Sequence, residues 1–247
     1  MKEKEIFMAI LNSIIGILFI FAVAYLLSNN KKRIKWRTII IGFLIQFGFA
    51  LAVLKWSVGK YVLSKVALGV QSVIDYAQEG ISFVFGSLAN DGSIFFVNVL
   101  CVIIFISAVV SILYYLGIMQ FVIRVIGGAL SRLLGTSQLE TISSSANIFL
   151  GQTEAPLLIK PYVSKLTESE LFAVMVGGLA SVSGSILVGY SMLGIPIEYL
   201  ISAAFMAAPA GLIIAKILCP ETEHDKVQNE VEMIKDNSAN VVDAASK

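Results

Sequence analysis

Long apolar runs separated by short polar clusters dominate this chain. A helix needs about 20 predominantly apolar residues to cross a bilayer. Residues 6–27 form the first such run, interrupted only by Asn12 and Ser13, and residues 38–54 the second, carrying Gln46. Residues 93–116 are the third and 171–193 the fourth; 195–219 are the fifth, with Pro196 at the start and Pro209 near the middle. Two further stretches have helical periodicity but one apolar side. In residues 55–90, Val62, Val66, Val70, Ile74 and Ala77 recur among Lys60, Lys65, Gln71, Asp75 and Gln78. In residues 117–135, Ile118, Phe121, Val122, Val125, Ala129 and Leu133 form a stripe that Arg124 and Arg132 avoid. Helices of this kind lie along a membrane surface rather than cross it.

Residues 141–165 fit neither class. Thr141, Ser143, Ser144, Ser145 and Asn147 precede Gly151; Gln152, Thr153, Glu154 and Pro156 follow it. Too few residues separate Thr141 from Pro156 for a full crossing. Arg124 and Arg132 before the stretch, and Lys160 and Lys165 after it, place both flanks on one side. A re-entrant helical hairpin satisfies both constraints. The pattern therefore predicts an all-α polytopic membrane protein with about five transmembrane helices, two interfacial amphipathic helices and one re-entrant hairpin.

Charge orients this arrangement. Residues 31–37 hold five positive charges, which puts that loop in the cytoplasm and the N-terminus outside. Segment counting then puts the polar tail, residues 220–247, in the cytoplasm of a multi-pass plasma-membrane protein, the inner membrane of a bacterial cell. The expected division is 1–116 as a scaffold, 117–219 as a transport half containing the hairpin, and the tail. Composition agrees: 57% of residues are hydrophobic and 14% charged, against about 25% charged in soluble domains. A net charge of +1 gives no reason to expect nucleic acid as a partner; the lipid bilayer is the surrounding medium. Cys101 and Cys219 lie in apolar runs and read as small buried hydrophobes. The one histidine, His224, lies in the tail, so no histidine-based metal or nucleophile site falls in the membrane region and no enzyme is expected.

The chemistry concentrates at the hairpin tip. An ionisable side chain at membrane depth is costly and marks function, and Glu154 is that group. Gly151 permits a tight turn, and Pro156 suits the first turn of a returning helix. The first half-helix is expected to end near Leu150 with free carbonyls, the second to begin near Thr153 with free N–H groups. Carbonyls together with Asn147 are hard oxygen ligands suited to Na+, as in the broken helices of secondary transporters. Residues 177–185, rich in glycine and serine, either pack closely on another helix or unwind locally. Taken alone, the serine run 143–145 and Ser181 read as helix-packing residues more readily than as a site.

The run Asn147-Ile148-Phe149-Leu150-Gly151-Gln152-Thr153-Glu154-Ala155-Pro156-Leu157-Leu158-Ile159-Lys160-Pro161-Tyr162 closely resembles the first re-entrant hairpin of the concentrative nucleoside transporters, the NupC-like family. Residues 166–172 and 177–185 resemble that family's next segment. The resemblance implies a homotrimeric, sodium-coupled nucleoside symporter with a fixed scaffold and a moving transport part, and no bound cofactor. It implies substrate contacts at Gln152, Thr153 and Glu154, with Gly151 and Ile186 lining the base pocket. It implies a sodium site of the Asn147 and Ser181 side chains and the Leu150 and Val182 carbonyls, with a proton as the other coupling ion to consider. Family members are longer, and residues 238–246 resemble the start of their next interfacial helix. The expectation is an N-terminal half of the symporter; the alternative is a non-transporting remnant or one chain of a split transporter.

Overall fold

The computed structural model describes residues 2–90, 94–223 and 238–246. Among them there is helix and turn, with no strand. In order, the helices are α1 Lys2–Leu26, α2 Trp36–Leu54, α3 Ser57–Phe85, α4 Cys101–Tyr115, α5 Ile118–Leu134, α6 Gln138–Ala146, α7 Glu168–Leu179, α8 Gly184–Met192, α9 Ile197–Leu218 and α10 Val241–Ala245. A π-helical turn, Phe96–Leu100, leads into α4, and a 3-10 helix, Ala155–Lys165, follows α6.

Among the described residues, four helical spans are long and apolar enough to cross a membrane: Trp36–Val53, Phe96–Tyr115, Glu168–Met192 and Ile197–Leu218. The run expected over 6–27 is helical as α1, Lys2–Leu26. α3 and α5 occupy the two predicted amphipathic stretches. The bounds of α5 follow directly from its glycines. Gly117 and Gly135 flank it at φ 80° and 66°, left-handed backbone that glycine adopts without strain.

Packing sets which face of each of these two helices meets the protein. On α5, the predicted stripe of Ile118, Phe121, Val125 and Leu133 stays exposed. The buried face is instead Met119, Ile123, Gly127, Leu130 and Leu134. Gly127 decides the matter, because a side chain there would meet the Ile142 backbone of α6 at 3.1 Å. The bare glycine lets two helix backbones approach closely. On α3, Ala67, Ile74, Ala77 and Ile81 are buried, whereas Val62 and Val66 are exposed.

The core that positions the hairpin is one cluster. Met119 and Ile123 of α5, Leu139 and Ile142 of α6, Leu150 of the turn, Leu158 and Ile159 of the 3-10 helix and Val174 of α7 pack together. Burying one such large side chain stabilises by about 1.5–3 kcal/mol. The hairpin is therefore held between α5 and α7. α9 runs against α2, α6 and α7, and Gln46 Nε2 donates to the Met206 carbonyl at 3.0 Å. Of the tail, residues 224–237, with His224, lie outside the described residues, while α10 rests on α4 with Ala244 fully buried.

Candidate functional site

The hairpin begins with a local signal. Ser137 caps α6 by accepting from the Glu140 N–H, and the Glu140 carboxylate accepts from the Ser137 N–H at 2.9 Å. This reciprocal capping box starts the helix at Gln138, three residues before the predicted start. α6 ends at Ala146 with Asn147 as its C-cap, earlier than the expected Leu150. The turn then runs to Glu154, the N-cap of the returning segment, which starts at Ala155 rather than Thr153. That segment is a 3-10 helix because Pro156 opens it and Pro161 sits inside it. Proline supplies no N–H and its ring clashes with the carbonyl four residues back.

Opposite the turn, the predicted span over 171–193 unwinds. α7 stops at Leu179 and α8 starts at Gly184, with Ala180, Ser181, Val182 and Ser183 between them. The two breaks meet. The Gly184 N–H donates to the Phe149 carbonyl at 3.1 Å. A side chain at Gly177 would meet Ser144 Oγ at 2.9 Å and Asn147 Nδ2 at 3.5 Å, and one at Gly178 would meet Gln152 Cβ at 3.3 Å. The glycines of residues 177–184 therefore serve both close packing and local unwinding.

The electrostatics favour a cation. α6 and α7 both end at this junction, and a helix C-terminus carries partial negative charge. Among the described residues no donor reaches the Leu150 or Val182 carbonyl. Asn147 is fully buried, and neither its Oδ1 nor its Nδ2 has a partner; the buried hydroxyls of Ser143, Ser144 and Ser145 are also unpartnered. A buried polar group left without a hydrogen bond costs about 1–3 kcal/mol. Ser181 differs, since its hydroxyl donates to the Gly177 carbonyl at 2.7 Å.

The expected substrate residues line the open side of the same junction. Gln152, Thr153 and Glu154 are exposed, as are Val182 and Ile186. Glu154 Oε2 accepts from the Gly151 N–H at 3.3 Å, which aims the carboxylate back over the turn.

Sequence reasoning missed a second cluster at the base of the hairpin. Lys216, in the last turn of α9, forms an ion pair with Glu140 at 2.6 Å and donates to Ser169 Oγ at 2.8 Å. Ser169 donates to the Cys219 carbonyl, and Thr167 donates to Glu221, whose carboxylate lies 3.9 Å from Lys216. Burial raises the Glu221 carboxyl, but bonds from the Glu223 N–H and Thr167, with the Lys216 charge, outweigh it and hold the group below its ordinary value. A second capping box, Thr167 with Glu170, starts α7 beside this cluster. The available signal was Lys216, the one basic residue of the 22-residue α9, at the end of an apolar run. Glu140, Lys216, Glu221, Arg33 and Lys35 also line a cavity of about 350 Å³.

Helix breaks that meet around unpartnered oxygens are the construction used by secondary carriers. Comparison with known proteins agrees. The models describing the Na+ dependent nucleoside transporter N-terminus, nucleoside recognition, and the Na+ dependent nucleoside transporter C-terminus match residues 15–88, 96–196 and 199–247 in that order. The transporter YutK of Bacillus subtilis is 51% identical over 244 residues, covering 97% of this chain and 60% of the relative. The nucleoside permease NupC of Helicobacter pylori is 47% identical over 219 residues, covering 85% and 52%. The structure of CNTnw in an inward-facing substrate-bound state superposes with a TM-score of 0.88 at 46% identity, covering 96% of this chain and 58% of that one. The chain belongs to the concentrative nucleoside transporter family. It spans about three fifths of the length of YutK and CNTnw.

Proposed function

We propose that this chain supplies the hairpin half of a sodium-coupled nucleoside import site. The observation that carries the reading is the junction of the two helix breaks, where the buried, unpartnered Asn147 and two helix C-termini meet beside the exposed Gln152, Thr153 and Glu154. Na+ is held by Asn147 and Ser181 and by the carbonyls of Leu150 and Val182. To ligate, Ser181 needs only an oxygen lone pair, which its bond to Gly177 leaves available. The nucleobase hydrogen-bonds to Gln152 and Glu154, with Thr153, Gly151 and Ile186 beside it. Coupling follows if the ion orders the turn that presents Gln152 and Glu154, since each ligand then raises the affinity of the other by the same factor. Residues 117–219 form the moving half against the scaffold 1–116, with residues 31–37 and the tail on the cytoplasmic face. Assembly is as a homotrimer in the plasma membrane.

The test is sodium-driven uridine uptake by proteoliposomes. It is run with this chain and with a chimera in which it replaces the matching part of the H. pylori NupC. Uptake in sodium and not in choline supports the reading, and uptake driven equally by a proton gradient moves the coupling ion to H+. A chimera that folds and takes up nothing contradicts it.

A further inference from the structure

The sodium site proposed above has four ligands, Asn147, Leu150, Ser181 and Val182, and a further ligand rests on that proposed site. Ser143, Ser144, Ser145 and Asn147 all carry side-chain atoms that are buried without a partner. Residues three or four apart on a helix share a face, whereas residues two apart do not. Ser143 and Ser144 therefore both stand on the face of Asn147, and Ser145 points away. Packing singles out Ser144, because its Oγ and Asn147 Nδ2 both border the missing side chain of Gly177.

A helical serine or threonine ordinarily satisfies its hydroxyl by donating to the carbonyl one turn back. Thr141 does so to Ser137, Ser181 to Gly177 and Ser202 to Glu198. Ser144 does not. Its oxygen is held in the protein interior, against the residue whose carbonyl orients Ser181, where two helix C-termini converge. Hard oxygen donors gathered in this way suit a small hard cation.

We propose that Ser144 Oγ is a ligand of the cation held by Asn147. Ser145, on the same helix and equally buried, is not a ligand and serves as the control.

The test is sodium-dependent thermal stabilisation of the purified full chain in detergent, titrating NaCl against choline chloride at constant ionic strength. The wild type rises in Tm with sodium, and Asn147→Ala abolishes the rise. Ser144→Ala raises the sodium concentration needed for half the effect by about tenfold, as expected for one lost contact to a charged group. Ser144→Cys, nearly the same size but with a soft sulfur, behaves like Ser144→Ala, while Ser145→Ala follows the wild type. Equal Tm values in choline exclude a folding defect. If Asn147→Ala abolishes the response and both Ser144 variants titrate like the wild type, the ion site stands and the Ser144 assignment is overturned. If Asn147→Ala titrates like the wild type, the ion site itself fails, and the Ser144 ligand with it.

Discussion

The Gly184 N–H donates to the Phe149 carbonyl across 3.1 Å, tying the hairpin turn to the unwound segment before α8. Each segment alone is a helix with a defect; this bond joins the two breaks. A side chain at Gly184 would stand 3.1 Å from the same carbonyl. Gly184→Ala should therefore push the turn away and destabilise the protein by about 1–3 kcal/mol. Gly178→Ala, where the side chain meets Gln152 Cβ at 3.3 Å, should be milder because that contact is longer. Thermal denaturation in detergent checks the order of the two.

Lys216 holds the base of the hairpin to α9 through Glu140, both nearly fully buried. Removing one partner of a buried pair strands the other charge. Lys216→Met should cost about 3–5 kcal/mol, while the double variant Lys216→Met with Glu140→Gln should recover much of that loss. A double-mutant cycle measured by denaturation gives the coupling directly. Additive effects would show that the pair does not hold the hairpin.

Glu221 sets a pH dependence outside the spanning helices. Its carboxyl is held below the ordinary value of 4.5, facing Lys216, Thr167 and the Glu223 N–H, with Glu140 across Lys216. A depressed folded value means the stabilisation is fully present above the unfolded value and is lost as the pH falls through the folded one. Glu221→Gln should lower stability by about 1 kcal/mol at neutral pH. The gap from wild type should close as the pH drops below the ordinary carboxylate value. A gap independent of pH would assign the effect to packing.

The parts legible in the sequence were those with short-range causes. The bounds of α5 were written by Gly117 and Gly135, and the turn at Gly151 and the break near Ser181 by residue types unsuited to a continuous apolar helix. The start of α6 was equally local, since Ser137 and Glu140 form a capping box, yet the apolar pattern drew attention to Thr141 instead. The buried face of α5 was not legible, because both its sides are apolar and only contact with Ile142 selects the one bearing Gly127. The Glu140–Lys216 pair joins helices far apart in the chain, so no periodicity could reveal it. Asn147 was legible as a ligand type. That its side chain is buried without a partner depends on how α6 and α7 pack.

In the proposed function one junction holds both sodium, at the buried Asn147, and a nucleoside, at the exposed Glu154. Equilibrium binding of labelled uridine to the purified protein, in sodium and in choline, tests it most directly. The wild type should bind more tightly in sodium. Glu154→Gln should weaken binding in both salts by about ten- to a hundredfold, the worth of a hydrogen bond to a charged group. Asn147→Ala should remove the difference between the salts and leave the binding seen in choline. Wild-type affinity in Glu154→Gln, or an undiminished sodium effect in Asn147→Ala, would contradict the account.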